Sequence, residues 1–109
     1  MSMVDEQHAF LQDVAKLIVY ATSLGLKVTG GELHRTPEQQ AIYVQTGRSK
    51  TLKSKHLERL AIDLNFFKDG KLTYDVPEVG KYWESLSSKN SAGMFWKSFK
   101  DAPHFERRI

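Results

Sequence analysis

Between Val4 and Leu24 the apolar residues Phe10, Leu11, Val14, Leu17, Ile18, Ala21 and Leu24 recur at intervals of three and four. That period predicts an amphipathic helix, with Gly25 as its stop. "LKVTGGELHR" then offers a short β-branched strand interrupted by Gly30 and Gly31, a pair that predicts a bulge or a close backbone approach. "TPEQQAIYVQTG" reads as a whole helix: Thr36 is the N-cap, Pro37 takes the first position, Gln39 completes a capping box and Gly47 follows the end.

The polar stretch Arg48 to Lys55 reads as a loop. Beyond it, "LAIDLNFF" predicts a strand, and Asp69 and Gly70 in "KDGK" predict a turn into "LTYDV", a second strand of a hairpin. Pro77 opens a third helix, "EVGKYWESLSSK", in which Val79, Tyr82, Trp83 and Leu86 share a core face despite the weakening Gly80. "GMFWKSF" predicts another strand, and "KDAPHFERRI" a Pro-containing loop with a short extended end. The order helix, strand, helix, strand, strand, helix, strand predicts an α+β fold with an antiparallel sheet.

Within "LAIDLNFF" the alternation of side chains puts Ala61, Asp63 and Asn65 on one face and Ile62, Leu64 and Phe66 on the other. Asp63 is thus displayed beside a small residue. Taken alone it reads as a residue of a solvated sheet face. His56, seven positions earlier and just before the strand, can be brought to the same end of the sheet, and the two side chains then converge as nitrogen and oxygen donors.

Composition narrows what such a pair can do. The chain has 109 residues, 40% hydrophobic and 27% charged, which fits one globular domain able to fold without staples. Cysteine is absent, so a transition-metal site must be built from His, Asp, Glu or water. The N-terminal stretch lacks the pattern of a signal peptide, and no run of about 20 apolar residues marks a membrane span, so a cytoplasmic origin is expected. The formal net charge of +3 suits an anionic partner without choosing among nucleic acid, a membrane surface and an acidic wall polymer. Arg48, Lys50, Lys53 and Lys55 form the densest basic cluster, either a phosphate-binding loop or a solvated loop beside a site.

A second pair near the C-terminus strengthens the first. In "DAPHFE", Asp101 stands three residues before His104. Two neutral imidazoles and one carboxylate leave a coordination position open for water, the arrangement of a catalytic zinc. A further carboxylate close to the metal serves as general base and then as general acid, a role for which Asp101 has the right type and position. Arg35, at the mouth of the second helix, can meet a carbonyl, a carboxylate or a developing oxyanion. His34 competes as a ligand, although alternation points it away if Arg35 points in. His8 reads as solvent-facing.

"GELHRTPEQQ", "SKHLERLAIDLNFF" and "WKSFKDAPHFE" together resemble the zinc metallopeptidase family of D-alanyl-D-alanine carboxypeptidases and L-alanyl-D-glutamate endopeptidases, in particular its bacteriophage endolysin branch. The resemblance runs from about Gly30 to Glu106 and rests on S-x-H-x(6)-D followed by D/E-x-x-H. It implies His56, Asp63 and His104 as ligands of Zn2+, Asp101 as catalytic base, Arg35 on the scissile carbonyl and Ser54 as a substrate contact. Gln39 matches a recurrent glutamine of the family. The chain departs from the pattern at Arg59, where many members have glycine, and in "SAGMFW", which keeps only Gly93 of a glycine pair.

The resemblance also implies a small Hedgehog/D,D-peptidase-like fold, a central antiparallel sheet flanked by helices, with residues 1 to 109 as one catalytic domain and no separate wall-binding domain. The implied activity is zinc-dependent hydrolysis of the L-alanyl-D-glutamate bond of the peptidoglycan stem peptide during lysis. The enzyme is then a monomer that engages no nucleic acid and does not insert into the membrane, reaching the wall from the host cytoplasm after membrane permeabilisation. The alternatives are a D,D-carboxypeptidase of the same family and a basic nucleic-acid-binding module built on the Arg48 to Lys55 loop.

Overall fold

The computed structural model describes all residues from Met1 to Ile109. Helix α1 (Met3–Ser23) starts at a complete capping box in which Ser2 and Asp5 satisfy each other's backbone N–H groups. Phe10, Val14, Leu17 and Ala21 form its buried stripe, while Leu11, Ile18 and Leu24 stay exposed. The inward face is therefore narrower than the apolar pattern predicts. Strand β1 (Lys27–Gly30) leads to α2 (Pro37–Gln45), capped by Thr36, whose Oγ1 accepts the Gln39 N–H at 3.1 Å. Only this half of the expected capping box forms.

Strand β2 (Ala61–Lys68) is the spine of the sheet. Asp69 and Gly70, both at positive φ, turn it into β3 (Lys71–Thr73), as "KDGK" predicts. After α3 (Pro77–Leu86) come β4 (Asn90–Ala92) and β5 (His104–Arg107). All pairings are antiparallel, in the order β1-β2-β5-β4, with β3 also on β2. The α+β expectation is met.

One predicted strand is absent. Residues Gly93–Phe95 of "GMFWKSF" form a 3-10 helix, and no strand continues through Phe99. The chain is forced to turn there because Gly93 is packed backbone to backbone against Asp101. A Cβ on Gly93 would lie 2.1 Å from the Asp101 carbonyl oxygen. Gly80, a weakness by helix propensity, has its own packing reason: a Cβ there would meet Met94 Sδ at 2.5 Å.

Between the sheet and helices α1 and α3 lies the core, centred on Trp83 and Phe105 with ring centroids 5.8 Å apart. Phe10 and Phe66 abut them edge-on, at 5.6 Å from Trp83 and 6.0 Å from Phe105 respectively. The chain ends are joined by a buried ion cluster, in which Glu6 accepts from Arg107 Nε at 2.8 Å and from Lys89 Nζ at 2.9 Å. These bonds hold the Glu6 carboxyl below its ordinary value of 4.5.

A lowered folded-state pKa contributes stability above 4.5 that disappears as pH falls through the lower native value. Glu6→Gln is therefore expected to be less stable than the parent chain at pH 7, with the difference shrinking below pH 4.5. Denaturant titrations across that range read the gap directly. A gap independent of pH would remove the ion cluster from the account.

Candidate metal centre

The sheet register builds the site. β2 and β5 pair with Asp63 directly opposite His104 and Ala61 opposite Glu106, so all four side chains share one face. Leu64, Phe66 and Phe105 fill the core on the other. The exposed-face reading of Asp63 and the ligand reading thus meet: it lies outside the hydrophobic core, yet its side chain is only 25% exposed.

His56 arrives from a 3-10 helix, Lys55–Glu58, capped by the Ser54 hydroxyl, which accepts the His56 N–H at 3.2 Å. That helix ends at Arg59, whose φ of 57° is the left-handed conformation glycine adopts most easily. Arg59 thus keeps the backbone shape that the missing glycine would give. The segment after β1 grips the same helix, as Arg35 N–H donates to the His56 carbonyl at 3.1 Å.

Both imidazoles are oriented by their outer nitrogens. His56 Nδ1 lies 2.9 Å from the Leu33 carbonyl and so carries the proton, leaving Nε2 as the inward lone pair. His104 Nε2 lies 2.7 Å from Glu106 Oε1, which leaves Nδ1 facing in. His56 Nε2 and His104 Nδ1 stand 3.4 and 3.5 Å from the same oxygen, Asp63 Oδ1. These separations exceed an ordinary hydrogen bond.

Four-coordinate bonds of about 2.0–2.1 Å at tetrahedral angles separate neighbouring donors by about 3.3–3.4 Å, close to what is observed. His56 Nε2 and Asp63 Oδ1 are also buried without a hydrogen-bond partner, a costly state that a shared cation relieves. The three inward atoms lie within 4.8 Å of one another. The residues fit a divalent metal ion.

Electrostatics agree with the geometry. Burial alone would raise the Asp63 carboxyl, but the two facing imidazoles hold it well below the usual carboxylate range. Burial disfavours the His104 imidazolium, yet the Asp63 and Glu106 carboxylates outweigh it and push His104 up to about 9. Such a site attracts positive charge. Asp101 behaves in the opposite way: burial pushes its carboxyl up, His104 opposes, and the Asp63 charge pushes it further. Its Oδ2 lies 3.7 Å from His104 Nδ1, beside the three candidate ligands.

Arg35 is fixed on several sides. Its Nε pairs with Glu32, its Nη1 donates to Gln40 Oε1 at 2.7 Å and lies 3.4 Å from Ser54 Oγ, and the guanidinium stacks 4.6 Å over the Tyr43 ring. The Nη2 donors have no protein partner. Arg35, Ser54, Asp101 and the three candidate ligands all line a single cleft of about 390 Å³. His34 and His8 are exposed and stay out of it, as alternation predicts for His34.

Two residues escape the sequence reading. Gln40, fully buried, ties Arg35 to the next loop, donating to Ser49 Oγ at 2.9 Å and Thr51 O at 2.5 Å, whereas its neighbour Gln39 makes no such contact. Nothing in the sequence separates these adjacent glutamines. Glu106 was accessible in principle, because a residue two positions after His104 in a strand shares its face.

The close backbone approach predicted for the glycine pair falls on Gly31. Its N–H donates to the Asp63 carbonyl at 2.7 Å, and a Cβ there would lie 3.1 Å from Asp63 Cβ. A Glu106→Gln variant keeps the shape but removes the charge that fixes the His104 ring, so metal affinity is expected to fall roughly 10- to 100-fold. Competition with a chromophoric chelator measures this, and unchanged affinity would release Glu106 from the role.

No family model matches the chain. The L-alanyl-D-glutamate peptidase of Listeria phage A118 is 32% identical over 95 residues, covering 84% of this chain. Over that stretch the chain is similar to an L-alanyl-D-glutamate peptidase. It spans about a third, 34%, of the length of that curated relative. Among solved structures, the Serratia marcescens L-Ala D-Glu endopeptidase ChiX superposes with a TM-score of 0.71 at 23% identity, over 90% of this chain and 77% of that one. This likeness shows the fold, an antiparallel sheet with three helices.

Proposed function

We propose that the chain is a zinc-dependent peptidoglycan peptidase that hydrolyses the L-alanyl-D-glutamate bond of the stem peptide. The convergence of His56 Nε2, Asp63 Oδ1 and His104 Nδ1 on one point, with Asp101 beside them, carries the reading. The L-alanyl-D-glutamate peptidase named for the phage relative supports the choice of bond. Two imidazoles, one carboxylate and no sulfur suit zinc. When bound, the metal supplies a Lewis acid for the scissile carbonyl and lowers the pKa of water.

The chain's own groups do the rest. Asp101 accepts a proton from the attacking water as its oxygen bonds to the carbonyl carbon. It returns the proton to the leaving amine as the C–N bond breaks, so the proton count balances. Arg35, immobilised by Glu32, Gln40 and Tyr43, directs its free Nη2 donors at the oxygen that gains charge. Ser54 holds the His56 backbone and borders the substrate cleft.

The enzyme acts on the cell wall as a monomer, reaching it from the cytoplasm once the membrane is permeabilised. No helix is long and apolar enough to cross a membrane. Digestion of purified muropeptides followed by mass analysis, with and without a chelator, tests the function. A cut beneath the sugar-linked L-alanine that stops with chelator and returns with Zn2+ is expected. Release of terminal D-alanine alone would make the enzyme a D,D-carboxypeptidase, and chelator-insensitive cleavage would overturn the metal dependence.

A further inference from the structure

The cleft that contains the metal centre is also lined by Arg48, Lys50 and Lys53. None of the three has a carboxylate within ion-pair distance, whereas the acids of the cleft are committed elsewhere. Glu32 holds Arg35 and the Tyr43 hydroxyl, Glu106 holds His104 and Arg108, Asp63 faces both imidazoles, and Asp101 is the proposed base. Arg48 lies 5.6 Å over the Tyr43 ring and Lys50 5.1 Å over the Phe99 ring, contacts that seat the side chains without neutralising them.

The loop bearing these cations is pinned rather than free. Arg48 N–H donates to the Tyr43 carbonyl at 2.8 Å, Lys53 N–H to Thr51 Oγ1 at 3.0 Å, and buried Gln40 grips Ser49 and Thr51 while also binding Arg35. One side chain thus connects the rim to the group proposed to act on the scissile carbonyl. Like charges held together on an anchored loop repel one another until an anion enters.

The substrate of the proposed reaction carries such an anion. A D-glutamyl residue has two carboxyl groups and extends a peptide through one of them, so the other remains a carboxylate unless it is amidated. We propose that Arg48, Lys50 and Lys53 form a carboxylate-reading rim that makes the enzyme prefer stem peptides with a free carboxylate next to the scissile bond over their carboxamide forms. This preference rests on the peptidase reading above.

Two synthetic stem peptides, identical except for carboxylate or carboxamide at that D-glutamyl residue, provide the test with the metal-loaded full chain. The carboxylate form is expected to have a kcat/KM about tenfold higher, chiefly through KM, because partly exposed charge pairs are individually weak. The advantage should shrink as salt rises from about 0.05 to about 0.5 M. The triple variant Arg48→Gln, Lys50→Gln, Lys53→Gln changes only exposed positions and should bring the ratio close to one. Lys53→Glu, which leaves Arg48 and Lys50 in place, should narrow the preference without reversing it.

Calorimetric binding of both peptides to the Asp101→Asn variant separates the rim from the chemistry. If neither peptide is cut by the parent enzyme but the carboxylate form binds about tenfold tighter through the three cations, the peptidase reading falls and the rim stands. If both are cut at equal rates, or the triple variant retains the discrimination, the rim is overturned and the peptidase remains. Loss of duplex DNA binding in the triple variant, with peptide discrimination unchanged, would also overturn it in favour of a nucleic-acid partner.

Discussion

Asp101→Asn is expected to lower kcat by about 10²- to 10⁴-fold while leaving metal content unchanged, the range typical of removing a positioned general base. The substitution is nearly isosteric and its structural cost is small. Asp101 contributes to the fold through its backbone, whose N–H donates to the Gly93 carbonyl and whose carbonyl accepts from His104 N–H, both at 3.1 Å. Its carboxylate makes no hydrogen bond and approaches His104 only to 3.7 Å. Elemental analysis beside the muropeptide assay distinguishes the outcomes. Full activity with normal metal content would remove Asp101 from the chemistry, and loss of metal would make it a ligand.

The largest structural effect is expected at Gly93. An added Cβ would lie 2.1 Å from the Asp101 carbonyl oxygen and 3.1 Å from His104 Cβ, with backbone on one side and a candidate metal ligand on the other. No flexible side chain can yield to it. Overpacking of this kind costs about 3 kcal/mol, which for a domain of this size lowers Tm by roughly 15 °C. The remaining folded protein should also be impaired, because the turn that sets Asp101 against His104 must shift. Gly30→Ala is the control, since a Cβ there meets nothing within 4 Å. Equal melting temperatures for Gly93→Ala and Gly30→Ala would refute the close-packing account.

These two sites show the division between sequence and structure. Thr36, Pro37, Asp69 and Gly70 mark their elements correctly because caps and tight turns are decided by residues a few positions apart. The alternation in β2 correctly separates Asp63 from Leu64 and Phe66, because strand periodicity is equally local. "GMFWKSF" misleads for the converse reason. Its apolar composition favours a strand, but contacts with Gly80 and Asp101 turn the chain into a 3-10 helix.

For the site, the residue types were legible and their arrangement was not. His56, Asp63, His104, Asp101 and Arg35 were candidates by residue type and local spacing, with His34 still competing, and the resemblance of their motifs to the metallopeptidases singled them out. Which imidazole nitrogen faces inward depends on Leu33 and Glu106, and what immobilises Arg35 depends on Glu32, Gln40 and Tyr43. The sequence by itself determined the helices, the hairpin turn and the chemical candidates, all set by spacing and residue type. Only the tertiary structure placed Asp63 opposite His104 and brought His56 to the same oxygen, because the register of strands some 40 residues apart is fixed by burial of the whole sheet face.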